Sequence, residues 1–191
     1  MARPGRLFVF GCFTGTVLGV ALAVGGAVAA VYLFKDPIIR LASKQLQPPP
    51  ILIDARADYN WEVKTVTGTV FDMRALEGGP VFLHLWSGDC YACLTELEAI
   101  SRLHEQFAEQ GVVFACIARG GFDDVPRIIA EYDLKAPVYL HDGTRPAPFD
   151  DDAVPVTYII ARDGRIAFKH LGSARWDAPV VADLLARLTA E

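Results

Sequence analysis

Of the four cysteines in this 191-residue chain only two stand close together, and no second pair follows at comparable spacing. A structural zinc site needs that second pair, and the four histidines are scattered, so the pattern offers a metal only half a site. The chain also lacks a basic patch. Its formal net charge is −5, which gives no reason to expect nucleic acid. No internal repeat or low-complexity tract breaks the pattern. Charge of either sign is missing from Leu7 to Phe34, a stretch of about 28 residues where roughly 20 suffice to cross a bilayer.

What is present fits one soluble domain plus an apolar segment at the front, with a hydrophobic fraction of 52%. Residues 1–36 read as a membrane anchor. Ala27-Val28-Ala29 matches a signal peptidase site, but the apolar run is longer than the core of a signal peptide and continues past it, which favours retention. Cys12 then reads as a bystander in the anchor. Arg3 and Arg6 in front and Lys35, Arg40 and Lys44 behind give no clear inside face. Residues 37–53 read as a short juxtamembrane helix and the Pro48-Pro49-Pro50 spacer, and residues 54–191 as the folded domain.

Within that domain, Trp61 to Val70 alternates like a strand pair around Thr67-Gly68, and Phe71 to Pro80 reads as a turn into the apolar strand Val81–Trp86. Leu97, Ile100, Leu103 and Phe107 then recur at helical spacing from Cys93 until Gly111, and Val112–Ala118 is a buried type of strand. Continuous apolar strands of this kind suggest parallel neighbours with helices on both faces. Asp123 or Asp124 caps a second helix with Ile128, Ile129 and Tyr132 inward, and Val138–Leu140 is a short strand. Asp142 to Asp152 reads as a solvated surface loop. Val154 to Ile160 is a strand beginning with a proline, and Asp163-Gly164 turns the chain into an antiparallel partner, Ile166–Leu171. A last helix, opened by Asp177 and Pro179, turns Val180, Val181, Leu184, Leu185 and Leu188 inward.

Cys90-Tyr91-Ala92-Cys93 lies where the strand Val81–Trp86 gives way to a helix. Two intervening residues let both sulfurs meet across one helical turn, so the pair can close a disulfide and reopen it by attack on a partner. Unpaired N–H groups and the positive end of the helix favour a thiolate on the leading cysteine. Cys90 is thus the candidate nucleophile and Cys93 the resolving thiol. Glu96, about one helical turn on, either exchanges a proton with Cys93 or is an exposed helix glutamate. His84, under the dithiol, either takes the proton of Cys93 or is a hydrogen-bonded core histidine.

The element order, the lead-in Thr65 to Pro80, the run Val81 to Glu96 with its dithiol, Val154-Pro155-Val156-Thr157, and Asp163-Gly164-Arg165-Ile166 with Gly172 together resemble the thioredoxin fold, and within it the membrane-anchored TlpA-like and ResA-like branch. The likeness covers about Asp54 to Leu188. It implies an α/β thioredoxin-like domain, a central mixed sheet flanked by helices, behind an N-terminal transmembrane helix. It also implies a Cys90–Cys93 disulfide, a cis Val154–Pro155 bond against it, and a substrate surface that includes Trp86, Asp89, Tyr91, Val154 and Pro155. The chain departs from the family at Asp89, where tryptophan is usual, at Ala92, where proline is usual, and at Leu97, where proline often follows the acid. A carboxylate at Asp89 opposes a thiolate on Cys90, which makes the pair less oxidising and points to a reductase.

The expected function is therefore a membrane-anchored, extracytoplasmic thiol–disulfide oxidoreductase that reduces protein disulfides and needs no cofactor. The resemblance implies a membrane electron donor of the DsbD or CcdA kind and substrates such as the haem-attachment thiols of apocytochrome c. The compartment follows from where protein disulfides persist. Two other readings stand beside it: a copper-handling chaperone like the Sco proteins, which would need His141 with the dithiol, and an interaction domain whose dithiol is vestigial.

Overall fold

A computed structural model describes residues 55–191. The expected anchor, Cys12, the juxtamembrane helix and the proline spacer lie outside the described residues. Among the described residues no helix is long and apolar enough to cross a membrane.

The domain opens with β1 (Glu62–Thr65) and β2 (Val70–Asp72), an antiparallel pair turned at Gly68, whose φ of +87° a side chain would resist. The stretch expected as a turn instead continues β2 to Asp72 and then forms a 3-10 helix, Met73–Leu76, because the Asp72 carboxylate caps it by accepting from Arg74 N–H. β3 (Val81–Trp86) follows with all six residues buried. The helix expected to run from the dithiol to Gly111 is broken: α1 (Tyr91–Leu94) is a single turn, and α2 (Leu97–Phe107) starts anew. Thr95 Oγ1 donates back to the carbonyl of Ala92, and Glu96 N–H bonds to Cys93 three residues back rather than four. Back-bonding of this kind bends a helix.

β4 (Val113–Ala118), α3 (Val125–Glu131), β5 (Val138–Leu140), β6 (Val156–Ile160), β7 (Ile166–Leu171) and α4 (Pro179–Ala190) complete the order. Asp124 stands at the cap of α3, but its carboxylate accepts from Arg127 rather than from the backbone. The seven strands form one sheet in the order β2-β1-β5-β4-β3-β6-β7. β3, β4 and β5 are mutually parallel and the remaining neighbours antiparallel, so the sheet is mixed.

The two faces of the sheet are covered differently. Phe82, Trp86, Phe114, Cys116 and Ile159 pack with α1, α2, α3 and α4 through Cys93, Leu97, Ile100, Leu103, Ile128, Leu185 and Leu188. Leu83, Leu85, Ile117, Tyr158 and Ile160 instead meet Tyr59, Trp61, Met73, Leu76 and Phe149. Helices on both faces were expected; the second face is covered by the β1 lead-in, the 3-10 helix and a loop. Val180, expected inward, is exposed, while Leu185 and Leu188 carry the inner stripe of α4.

That loop, residues 142–152, is the largest departure from the expected solvated charge run. Arg145 is buried, and its Nε and Nη2 donate to the carbonyls of Phe149 and Asp151, each at 2.6 Å. Phe149 has no exposed surface, Tyr158 donates its hydroxyl to the Asp151 carboxylate, and Lys169 pairs with Asp151 at 2.5 Å. The loop contains a cis Ala147–Pro148 bond and leads into the cis Val154–Pro155 bond.

Candidate active site

β3 ends at Trp86, and the next four residues lift the chain off the sheet edge so that Cys90 becomes the N-terminal cap of α1. Cys90 and Cys93 are joined as a disulfide with their Cα atoms 5.3 Å apart, inside the range such bonds require. The Cys93 N–H donates to Cys90 Sγ at 3.2 Å. Cys90 is half-buried and Cys93 fully buried. An incoming thiolate can therefore reach only the first sulfur, and the second must exchange its proton with a protein group.

Val154, which precedes the cis bond to Pro155, faces this disulfide. Cys90 Sγ lies 3.8 Å from the Val154 carbonyl oxygen, and the Pro155 carbonyl accepts from Gly172 N–H at 2.8 Å, which ties the loop before α4 to the same edge. Tyr91, which follows Cys90 in the chain, is 80% exposed. Asp89 is exposed and its carboxylate accepts from the Ser87 hydroxyl. Water screens an exposed charge, which weakens the opposition to a Cys90 thiolate that its position suggests. Trp86, expected on the substrate surface, is fully buried in the helix-side core, so its ring serves packing and touches no docked chain.

Glu96 is not an exposed helix glutamate. The break between α1 and α2 turns its side chain inward until it is 2% exposed, and Oε2 accepts from Ala174 N–H at 2.9 Å and from Trp176 Nε1–H at 2.6 Å. Burial pushes its pKa up from the ordinary 4.5 to about 7, against those two donors, which favour the charged form. A carboxyl poised near neutral pH can take or return a proton.

His84, in the middle of β3, is fully buried, with Nδ1 2.9 Å from Thr157 Oγ1 on β6 and Nε2 3.6 Å from Glu96 Oε1. Burial pushes its pKa down to about 3, so the ring is neutral at physiological pH. The reading of it as a hydrogen-bonded core histidine holds, and the ring shares a polar group with Glu96. Cys116, its register partner on β4, is buried, and burial together with the nearby Glu96 charge pushes its thiol pKa up.

Three partners were not foreseen. Thr157 lies inside a recognised motif but gave no sign of facing His84, and Ala174 and Trp176 sit in a loop that no local pattern connects to Glu96. His141, which a copper reading needs, packs edge-on against Trp61 with ring centres 4.9 Å apart. Among the described residues no three histidine, cysteine, aspartate or glutamate side chains come together as a metal site.

The model of the AhpC/TSA family matches residues 55–169, more than half of the chain. A curated relative, the thiol-disulfide oxidoreductase ResA of Bacillus cereus, is 29% identical over 115 residues, which is 59% of this chain and 66% of the relative, just under two thirds of its length. Among solved structures, a secreted thiol-disulfide isomerase from Corynebacterium glutamicum superposes with a TM-score of 0.60 at 17% identity, covering 76% of this chain and 97% of that one. A secreted Mycobacterium tuberculosis disulfide oxidoreductase, described as homologous to E. coli DsbE, gives 0.53 at 20% identity over 71% of this chain and all of that one. Both likenesses establish the thioredoxin-like α/β fold.

Proposed function

The chain belongs to the AhpC/TSA family, and we propose that it is a protein thiol–disulfide oxidoreductase working as a reductase, a direction supported by the Asp89 carboxylate next to Cys90. The observation that carries this is the half-buried Cys90 sulfur, bonded to a buried Cys93 and facing the Val154 carbonyl at 3.8 Å. In the reduced protein the Cys90 thiolate attacks a substrate disulfide and expels one substrate thiolate. Cys93, giving its proton to Glu96, then displaces the second substrate sulfur and leaves the Cys90–Cys93 disulfide. Two electrons pass from the dithiol to the substrate.

The uncharged run Leu7 to Phe34 supports a membrane anchor, and the chemistry supports placing the domain outside the cytoplasm, where protein disulfides persist. Reoxidised protein then needs electrons from across the membrane, for which a donor of the DsbD or CcdA kind is the fitting class. The resemblance of the sequence to the ResA-like branch supports protein substrates, the haem-attachment thiols of apocytochrome c among them.

Cys93→Ser in the full-length protein tests the reading. The variant should accumulate a mixed disulfide through Cys90 that a reductant releases, and the released protein identifies the substrate. A folded variant that captures nothing would refute it. A reduction potential close to about −120 mV, that of a strong oxidant, would refute the reductase direction; a value near about −270 mV, that of thioredoxin, is expected.

A further inference from the structure

Two buried polar atoms without hydrogen-bond partners face each other: His84 Nε2 and Glu96 Oε1, 3.6 Å apart. The other ends of both side chains are engaged, Oε2 by Ala174 and Trp176 and Nδ1 by Thr157. Because Oε2 already receives two N–H groups, a proton on the carboxyl sits on Oε1 and points at Nε2. The gap exceeds hydrogen-bond length by about half an ångström, so a proton on either atom draws the two together.

A neutral imidazole carries one hydrogen and one lone pair, and a hydroxyl both donates and accepts. With Glu96 protonated, Oε1–H donates to Nε2, the ring hydrogen is on Nδ1, and Thr157 Oγ1 accepts it. With Glu96 ionised, Nε2 must carry the hydrogen and donate to Oε1, while Nδ1 accepts from the Thr157 hydroxyl. Each arrangement leaves every buried polar atom paired. Any other combination sets two lone pairs or two hydrogens face to face and leaves buried groups unpaired.

We propose that His84 changes tautomer whenever Glu96 gains or loses its proton, with Thr157 anchoring both forms, so that the imidazole pairs with the carboxyl in either state. One proton leaves the group in all, from Oε1 to a thiolate of the reduced dithiol or to solvent. The ring hydrogen is on Nδ1 before this change and on Nε2 after it, so the ring is neutral in both end states. His84 is thus a positioning residue: it touches no substrate, and it keeps a buried carboxyl able to titrate without water.

The surroundings leave this exchange undisturbed. On β4 Cys116 keeps its thiol hydrogen, pushed up by burial and by Glu96 itself. On α1 Cys93 is in the disulfide, and before α4 Trp176 and Ala174 supply only N–H groups. On β7 His170, the register partner of Thr157, packs against Trp176, with Nε2 3.4 Å from the Ser173 carbonyl. Arg145, the one buried arginine among the described residues, serves the 142–152 loop.

The inference deepens the role given above to Glu96, but its test does not require turnover. In the full-length oxidised protein with ring-15N histidine, the two His84 nitrogens, assigned by their loss in His84→Phe, are followed from about pH 5 to about pH 9, a span that brackets the carboxyl's transition. The protonated and unprotonated signals should exchange nitrogens, with the midpoint of the Glu96 carboxylic C=O infrared band. In Glu96→Gln the amide oxygen takes the two N–H groups and the amide NH2 faces Nε2, so His84 should remain in the Nδ1–H form at every pH. A ring that keeps one tautomer in the native protein, gains a second hydrogen during the transition, or still switches in Glu96→Gln overturns the proposal. Switching in a protein that exchanges with no disulfide would remove the proposed function and leave this inference. Exchange with a fixed tautomer would do the reverse.

Discussion

Replacing Glu96 by glutamine isolates one proton-linked contribution at the site. The amide has the shape of the acid and can still accept from Ala174 and Trp176, so packing is preserved while ionisation is lost. In the unfolded chain Glu96 ionises near 4.5; in the fold, burial holds its proton to about 7. Between those values the folded state binds one more proton than the unfolded state, so stability falls as pH rises. The contribution is complete below 4.5 and gone above about 7. At about 1.4 kcal/mol per pH unit, the interval is worth about 3 kcal/mol. Urea unfolding of both oxidised full-length proteins in matched buffers checks it, because other groups cancel in the difference. The stability of Glu96→Gln relative to the native protein should grow by about 3 kcal/mol between pH 4.5 and 7 and then level off. A difference that is constant, or that shrinks over this window, would show that the buried carboxyl is already ionised in weak acid.

Arg145→Met removes two charge-assisted bonds and leaves the Phe149 carbonyl buried without that donor, so the urea midpoint should fall by an amount equivalent to about 2–3 kcal/mol. An unchanged midpoint would return the 142–152 loop to the solvated reading. A Cβ at Gly88 would come within 2.9 Å of Ile128 Cδ1, so Gly88→Ala should cost about 1–2 kcal/mol and cost less in an Ile128→Val background. Equal losses in both backgrounds would refute the clash. The Cys116 thiol should resist alkylation in the native oxidised protein and react once urea unfolds it, as peptide mass mapping will show.

The parts of the fold that could be read in advance are those where local pattern and tertiary role coincide. Val81–Trp86 is buried at every position and apolar at all but His84 because both faces of β3 are covered, and Asp163-Gly164 turns β6 into β7 because the turn chemistry is local. The helix break was hidden because Leu97, Ile100, Leu103 and Phe107 keep one apolar stripe whether or not a kink precedes them. The Thr95 hydroxyl bonding back to Ala92 bends the chain there, and the bend brings Glu96 to Trp176, a contact 80 residues away in sequence. The same limit hid Arg145: a proline-rich acidic loop looks solvated until its arginine is seen to bond carbonyls of that loop. At the site, Cys90, Cys93, Glu96 and His84 were legible as candidates from spacing and resemblance. Which of them pair, and through which atoms, was not, because those contacts join β3, β6 and the loop before α4. Trp86 misled for a related reason: nearness in sequence to a reactive residue says nothing about which face of a strand a ring occupies.

The strand order also has a consequence for how the protein is made. β3 lies between β4 and β6, and β6 begins at Val156, well after Cys93 in the chain. A growing polypeptide therefore presents both thiols before it contains the Val154 carbonyl, the threonine that holds His84 or the indole that holds Glu96. Until those arrive the cysteines are ordinary thiols on an open surface, subject to any oxidant they meet. Competence is acquired only once the segment from Val154 to Trp176 has been made and has joined the sheet and its helices.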